Sequence, residues 1–334
     1  MKKLLLFLIF SFSLIFVPQA FAQSNSYASI VNPVRGDDFW ELKDQRPETV
    51  VFEQIKILEK SDLPATWLIR FDALVEQNIM DKLKGRSTDE KGLFLEVTTS
   101  WAEQAKVNYR QSGSWHAAGS AFLTGYERKE REKLIDISFE KFKEVFGFYP
   151  KTVGAWWIDS YSLDYMQKKY GIISGLIVAD QYTTDNYQIW GQYFSTPYYP
   201  DMKNALHPAQ SLQNKIPVVL SQWAARDPLN GYGNGVFEST FSVQANDYID
   251  YHDLKTDYFL KLIDLYTRQE FNQFGSVVVG LENTYEWNKY GKEYANQIEA
   301  IAQKDKKGEL SAVTLEAFAY WYQKSFPELS PTQI

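Results

Sequence analysis

Short apolar runs alternate with longer amphipathic stretches along most of this chain. An apolar run bounded by polar residues is typical of a buried strand, and apolar residues at helical spacing predict a helix. The predicted strands cover residues 29–35, 63–70, 92–97, 153–158, 172–179, 217–223, 276–281 and 312–315. The predicted helices cover residues 47–60, 74–83, 127–146, 164–170, 257–271, 285–304 and a short final segment that ends at 326.

This alternation of strands and helices predicts an α/β fold with a parallel sheet. The number of strands in a chain of 334 residues favours a (β/α) barrel, either complete or missing one strand, with seven or eight parallel strands. The alternative is an open doubly wound sheet. No linker-like change in composition divides residues 23–334, which we interpret as one domain.

The N-terminus has the features of a secretory signal peptide. Lys2 and Lys3 precede an apolar run over residues 4–17, and the small-x-small sequence AFA at 20–22 is typical of a cleavage site. An uncleaved membrane anchor is the alternative, but the apolar run is short for a bilayer span. We therefore predict a signal peptide over residues 1–22, no membrane span in the mature protein, and a periplasmic or extracellular location.

Composition narrows the range of partners. The 35 Lys and Arg against 42 Asp and Glu give a formal net charge of −7, which disfavours nucleic acid and anionic membrane surfaces. The chain has no cysteine, so its hydrophobic core must hold the fold without disulfides. Ten Trp and 22 Tyr suit a sugar-binding cleft as well as a core.

Nearly every predicted strand is followed by a carboxylate, often with an arginine nearby. These residues are Arg35, Asp37 and Asp38; Arg70 and Asp72; Glu96; Asp159; Asp180; Arg226 and Asp227; Glu282; and Glu316. In a barrel the carboxyl ends of the strands converge on one face, and barrel enzymes have their active sites on that face. Carboxylates accept hydrogen bonds from sugar hydroxyls, and a pair of acids can cleave a glycosidic bond.

An N-terminal helix cap is the alternative role for several of these acids. Aspartate is a favoured capping residue, and Asp159 directly precedes a predicted helix. Glutamate is not a favoured cap, so this alternative explains Glu96 and Glu282 less well.

Other types of site find less support. The three histidines, His116, His207 and His252, are far apart and form neither an HxxxH nor an HExxH spacing. The nucleotide motifs GxGxxG and GxxxxGK[ST] and the nucleophile motif GxSxG do not occur. We therefore predict no cofactor and no histidine metal site, while a carboxylate site for a divalent metal ion stays open.

Residues 30–179 resemble the glycoside hydrolase/deacetylase superfamily of β/α barrels, which includes the polysaccharide deacetylases. The resemblance is carried by PATWL at 64–68, the strand at 92–97, and FGFYP at 146–150 before the strand that ends at Asp159. It implies a β/α barrel and carbohydrate chemistry.

The chain departs from that superfamily at two motifs. Deacetylases of this type carry paired aspartates in a TFDDG-like motif, whereas RGDDF at 35–39 places Asp37 and Asp38 beyond the strand. They also carry an HxxxH metal pair after the third strand, where this chain has EVTTS at 96–100. The resemblance therefore implies a divergent member and does not support a zinc-dependent deacetylase.

Together these features predict an exported hydrolase that acts on a polysaccharide or oligosaccharide through strand-end carboxylates. The predicted catalytic residues are Glu96 with Asp159 or Asp180, and Glu282 in reserve. The predicted substrate-binding residues are Asp37, Asp38, Arg70, Trp157, Trp190, Trp223 and Arg226. Two alternatives remain, a metal-dependent polysaccharide deacetylase using Asp37 or Asp38 and a non-catalytic glycan-binding protein of the same fold.

Overall fold

The computed structural model describes residues 25–40, 46–112, 117–178, 180–181, 187–188, 196–231, 240–270 and 272–331. Its strands are β1 Ser26–Val34, β2 Thr66–Arg70, β3 Glu90–Phe94, β4 Thr152–Ala155, β5 Ser174–Val178, β6 Asp180–Gln181, β7 Tyr187–Gln188, β8 Val219–Trp223, β9 Gly275–Val279 and β10 Ser311–Ala312. Its α-helices are α1 Asp37–Trp40, α2 Pro47–Ser61, α3 Gln77–Lys84, α4 Thr99–Gln104, α5 Ala118–Ala121, α6 Arg128–Phe146, α7 Ser160–Tyr170, α8 Ala245–His252, α9 Thr256–Tyr266, α10 Trp287–Lys306 and α11 Leu315–Ser325.

Seven parallel strands curve into a nearly closed barrel. Their order is β9-β1-β2-β3-β4-β5-β8, and the short β10 pairs with the N-terminal half of β1. Strands β8 and β9 lie beside each other without ladder pairing among the described residues, which leaves one seam open. The predicted barrel of seven or eight parallel strands is therefore confirmed. The hairpin of β6 and β7 is antiparallel and separate from this sheet.

The barrel strands are apolar on both faces because helices cover the outside and side chains fill the interior. Ile30 and Val31 of β1 and Leu68 and Ile69 of β2 have no exposed surface. This burial explains why the strands are recognisable in the sequence as continuous apolar runs.

The helix boundaries follow from local capping. Helix α6 begins with a capping box between Glu127 and Glu130 and ends at Gly147, which has a left-handed backbone, as the sequence predicts. The Thr314 hydroxyl accepts a hydrogen bond from the Ala317 amide and starts α11, so the last strand is shorter than predicted. The predicted strand over residues 153–158 likewise ends at Ala155.

The predicted signal peptide lies outside the described residues, so it stays a prediction, as does the single domain over residues 23–334. Within the described part of the chain, no helix has the length and apolar character needed to cross a membrane.

The loop after β9 is fastened to the end of β1. The Asn283 side chain accepts a hydrogen bond from the Arg35 amide and donates one to the Arg35 carbonyl, both at 2.8 Å. Gly280 makes the approach possible, because its φ is +134° and a Cβ there would lie 1.9 Å from the Val31 carbonyl oxygen. The short loop thereby brings Glu282 to the carboxyl end of β1.

A buried carboxyl group lies at the opposite end of the barrel. Glu90, at the start of β3, accepts hydrogen bonds from the Thr66 hydroxyl at 2.8 Å and the Glu316 amide at 2.9 Å. Its other oxygen is buried with no hydrogen-bond partner in the described part of the chain. Burial outweighs these hydrogen bonds and raises the pKa of Glu90 to about 7.

Replacing Gly280 with alanine is expected to destabilise the barrel. The new Cβ would clash with the β1 backbone in a conformation that favours glycine, so we expect a loss of about 2–4 kcal/mol in the free energy of unfolding. Urea unfolding measures the change. Gly119→Ala is the control, because a Cβ at Gly119 meets nothing within 4 Å and should alter stability by less than about 0.5 kcal/mol. Equal stability of the two variants would contradict this role of Gly280.

Glu90 is expected to make stability fall as pH rises from about 4.5 to about 7. Its pKa is raised above the unfolded value of 4.5, so the folded chain binds more protons than the unfolded chain within this window. The stability given by neutral Glu90 is complete below pH 4.5 and is lost as pH passes the folded pKa. Urea unfolding at several pH values compares wild type with Glu90→Gln. The difference between their free energies of unfolding should change by about 3 kcal/mol as pH rises from about 4.5 to about 7. Parallel profiles would contradict the assignment.

Candidate active site

The carboxylate of Glu96 lies between two arginines at the carboxyl end of the barrel. It accepts hydrogen bonds from Arg35 Nη2 at 2.9 Å and Arg35 Nε at 3.2 Å, and from Arg70 Nη1. The Trp156 indole donates a further hydrogen bond at 2.7 Å. Both oxygens of Glu96 are therefore engaged.

Strand topology explains how residues distant in sequence meet here. Arg35 follows β1, Arg70 ends β2, Glu96 lies two residues beyond β3, and Trp156 follows β4. These four strands are consecutive neighbours in the parallel sheet, so their carboxyl ends open on the same face.

Each arginine also binds a second acid. Arg70 makes a two-pronged contact with Asp72, at 2.7 Å and 2.6 Å, within the buried layer. Arg35 is 1% exposed and extends its Nη1 to Glu282, whose side chain is 34% exposed. The network therefore runs from the buried interior outward to one partly accessible carboxylate.

Electrostatics keep this network ionised. Burial alone would raise the pKa of Glu96, but Arg35 and Arg70 reverse the effect and lower it to about 2. Burial would also lower the pKa of each arginine, but the net pKa is raised, by Glu282 and Glu96 at Arg35 and by Asp72 and Glu96 at Arg70. Glu96 consequently has no proton to donate at neutral pH.

A cavity of about 260 Å³ opens above the network, close to the lower end of the range of about 300–1,000 Å³ for small-molecule sites. Aromatic rings surround the Arg35 guanidinium, whose central carbon lies 4.9 Å from the Phe39 ring centre and 5.6 Å from that of Phe94. The aromatic lining residues are Phe39, Phe94, Trp156, Trp223, Tyr251, Tyr285 and Tyr290.

Among the described residues, four carboxylates line this cavity: Asp247, Asp250, Glu282 and Glu286. Asp247 is buried and accepts a hydrogen bond from the Ser242 hydroxyl at 2.7 Å. Asp250 accepts hydrogen bonds from the Tyr290 hydroxyl at 2.5 Å and from Lys289 at 2.7 Å. Glu282 and Glu286 both belong to the segment that follows β9, and Glu286 is exposed.

The structure does not bring the predicted pair Glu96 and Asp159 together in this cavity, which neither residue lines. Asp159 caps helix α7, accepting hydrogen bonds from the Ser162 amide at 3.0 Å and the Ser162 hydroxyl at 2.7 Å. It also forms an ion pair with Arg131 at 3.1 Å. The side chain of Asp180, its predicted alternative partner, lies outside the described residues. The catalytic roles of these acids stay predictions.

Two of the predicted aromatic residues have defined places. Trp223 lines the cavity, and Trp157 packs against the hydrophobic core without lining it. Trp190 lies outside the described residues.

The predicted polar substrate contacts are not among the described residues that line the cavity. Asp37 forms an exposed ion pair with Arg46 at 3.4 Å, and Asp38 accepts a hydrogen bond from Ser100 at 2.6 Å. Buried Arg226 lies 3.5 Å from Asp247. Together with Arg70, these residues stay predicted substrate contacts.

Several cavity residues were missed in the sequence. Asp247, Asp250 and Tyr251 belong to α8, in a segment for which no helix was predicted. The spacing of Asp247, Asp250 and Tyr251, three and four residues apart, is a helical signal that could have placed them on one face. Glu286 lies just before α10 and carried no strand-end signal.

The donor set does not fit the metal ion that deacetylases of this superfamily carry. Within the described ranges, no group of three or more His, Cys, Asp or Glu side chains is placed to hold a metal. After β3, the Glu96 carboxylate is already bound by two guanidinium groups, whose positive charge opposes a cation. We derive no step through a metal ion.

Solved structures share this fold. A candidate glycoside hydrolase/deacetylase from Parabacteroides distasonis is 15% identical, with a TM-score of 0.63 over 92% of this chain and 73% of that chain. A candidate polysaccharide deacetylase from Mycobacterium smegmatis is 11% identical, with a TM-score of 0.56 over 93% and 94%. Puue allantoinase is 10% identical, with a TM-score of 0.55 over 92% and 93%. The resemblance to this barrel superfamily is thus confirmed at the level of the fold.

No curated protein matches the sequence. A family model described as a domain of unknown function with a solved structure, DUF3863, matches residues 117–330, more than half of the chain. The match includes strands β4, β5, β8 and β9 and the acidic segments that line the cavity. The chain therefore belongs to the DUF3863 family, and it shares the barrel fold of these solved structures.

Proposed function

We propose that this protein hydrolyses glycosidic bonds, with Glu282 as the reacting carboxylate. One observation carries the proposal: Glu282 is a strand-end acid that lines the cavity, is partly exposed, and is held by a buried arginine. A reacting carboxylate needs access to substrate and a fixed orientation, and Arg35 supplies the orientation.

Glu96 takes a positioning role in this proposal. The Glu96 carboxylate accepts hydrogen bonds from two guanidinium nitrogens of Arg35, and the third guanidinium nitrogen of Arg35 contacts Glu282. Arg35 thereby holds the Glu282 carboxylate in place, and an ionised carboxylate is the form that acts as nucleophile or base.

Glu286 is the proposed proton donor. It is exposed and lies four residues after Glu282 in the lining of the same cavity. The other two lining acids, Asp247 and Asp250, form ion pairs with Arg226 and Lys289. In the reaction, Glu286 would protonate the leaving oxygen as its bond to the anomeric carbon breaks. Glu282 would either attack that carbon to form a glycosyl ester, which water deprotonated by Glu286 then hydrolyses, or deprotonate a water that attacks the carbon directly. The separation of the two acids would decide the stereochemical outcome.

The aromatic lining supports a sugar as the substrate. Tyr251 and Tyr285 line the cavity and are exposed, so their rings offer apolar faces on which pyranose rings stack and their hydroxyls can bond to sugar hydroxyls. The names of two structures with this fold, a candidate glycoside hydrolase/deacetylase and a candidate polysaccharide deacetylase, also support a carbohydrate substrate. The predicted signal peptide would place that substrate in the periplasm or outside the cell.

The second candidate function is glycan binding without catalysis. It is favoured by the state of Glu96, which has both oxygens engaged and a pKa lowered to about 2 by the two arginines after burial is overcome. With Glu96 fixed in this way, the cavity would hold a glycan without reacting with it. Turnover assays separate the two functions.

Glu282→Gln is expected to lower turnover about 10²–10⁴-fold, because the amide cannot act as nucleophile or base. Mass spectrometry of an oligosaccharide panel after incubation measures shortened chains. The matched control is Glu299→Gln, an exposed position in α10 outside the cavity, which should keep wild-type turnover. Full activity of Glu282→Gln would overturn the proposal. Intact chains that lose acetyl groups would favour deacetylation, and binding without any product would favour the second candidate.

Glu96→Gln is expected to destabilise the protein by about 3 kcal/mol, because two buried guanidinium groups would share one fewer anion. Thermal or urea unfolding measures the loss, and the exposed Glu103→Gln in the nearby helix α4 is the control. Wild-type stability of Glu96→Gln would show that the network does not depend on this charge.

A further inference from the structure

We infer that Gln54, a buried residue of helix α2, is a positioning residue for Glu282. The inference rests on the proposed function, because it concerns the residue proposed as the reacting carboxylate. It assigns the placement of Glu282 to a side chain that lies behind the cavity and does not line it.

The chain leaves the barrel sheet just before Glu282. Strand β9 pairs with β1 as far as Val279 and Ile30, and Gly280 then turns the backbone with its φ of +134°. The amide and the carbonyl of Leu281 therefore lie beyond the last pair of the ladder. Buried backbone groups need hydrogen-bond partners, which here come from side chains.

Two buried side-chain amides bind these backbone groups. Asn32 of β1 accepts a hydrogen bond from the Leu281 amide at 3.3 Å. Gln54 Nε2 donates a hydrogen bond to the Leu281 carbonyl at 2.7 Å and makes a longer one of 3.5 Å to the Glu282 carbonyl. Neither Asn32 nor Gln54 has any exposed surface. The residue before Glu282 is therefore held on both sides, from the sheet and from an outer helix.

Gln54 is a costly residue at its place in α2. Between residues 50 and 58, the other residues that this helix buries are apolar, namely Val50, Val51, Ile55 and Leu58. The Gln54 side-chain oxygen is buried with no hydrogen-bond partner in the described part of the chain. An unpartnered buried acceptor lowers stability, whereas an apolar side chain of the same length would avoid that cost. The amide is therefore explained by what its nitrogen binds, which is the backbone at Glu282.

Gln54 and Arg35 hold opposite ends of the same residue. Arg35 contacts the Glu282 carboxylate, whereas Gln54 binds the backbone from which that side chain extends. Turnover depends steeply on placement, because moving a reacting group by about 1 Å can lower the rate about 100-fold. Loss of the Gln54 amide should therefore impair the chemical step more than substrate binding.

Gln54→Met tests the inference, because methionine has nearly the same length and fills the same space without a donor. The substrate is whichever oligosaccharide of the mass-spectrometry panel wild type cleaves. We expect kcat to fall about tenfold and KM to stay within about twofold, since no residue that lines the cavity is changed. Gln54→Asn, whose amide is shorter by one carbon–carbon bond of about 1.5 Å, should show the same loss and carries the test if Gln54→Met does not fold.

Hydrogen exchange measured by mass spectrometry gives a readout that does not need turnover. In Gln54→Met the amides of residues 281–284 should exchange about tenfold faster than in wild type, because a hydrogen bond that holds this loop is lost. Exchange in β2 should stay unchanged. A role confined to overall stability would instead raise exchange in β2 and in the loop together.

Gln297→Met is the matched control. Gln297 is also a buried glutamine, and its side-chain oxygen likewise has no partner among the described residues. Its Nε2 donates to the Val243 carbonyl at 3.1 Å and to the Tyr248 hydroxyl at 2.8 Å instead of to the loop at Glu282. The same substitution there should leave kcat within about threefold of wild type and exchange at residues 281–284 unchanged.

Wild-type kcat in Gln54→Met, or unchanged exchange at residues 281–284, would overturn the inference, as would an equal loss of kcat in Gln297→Met. Wild type itself tests the proposed function separately. If wild type cleaves no glycan of the panel, the hydrolase proposal falls and hydrogen exchange alone decides whether Gln54 positions Glu282. If wild type cleaves a glycan and Gln54→Met cleaves it equally fast, the inference falls and the hydrolase proposal stands.

Discussion

The structure at the carboxyl end of this barrel depends on the contact of one buried carboxylate, Glu96, with two buried arginines. Removing these charges from water costs several kcal/mol per ion, and the cost is offset only when every charged group has well-placed partners. Here Asp72, Glu282 and Trp156 complete the set. A network of this kind tolerates few alternative geometries, so it fixes where β1, β2, β3 and the loop after β9 end relative to one another.

The same contact explains why Glu96 is withdrawn from solvent while other carboxylates line the cavity. In the polysaccharide deacetylases that the sequence resembles, an HxxxH pair after the third strand holds a metal, but here the Glu96 carboxylate neutralises guanidinium groups. Its low pKa and full engagement remove it from proton transfer, since an acid that works near neutral pH needs a pKa close to that range. The accessible carboxylates belong to the β9 loop and to α8.

The sequence predicts the barrel well because its strands are apolar on both faces and its main helices are capped locally, as at Glu127 and Gly147. It also identifies Glu282 as a strand-end acid. It does not reveal the pairing of Arg35 with Glu96, because 61 residues separate them and only the closure of the sheet makes them neighbours. Asp159 shows the ambiguity of a strand-end aspartate, which local sequence assigns equally to a cap and to a catalytic site.

The cavity wall contains two acids whose cationic partners do not line the cavity. Lys289 contacts Asp250 and Arg226 contacts Asp247, yet neither cation lines the cavity, whereas both acids do. These contacts offset the repulsion between neighbouring carboxylates. Since neighbouring like charges are destabilising unless each has a partner, these two contacts are what allow both acids to line the cavity.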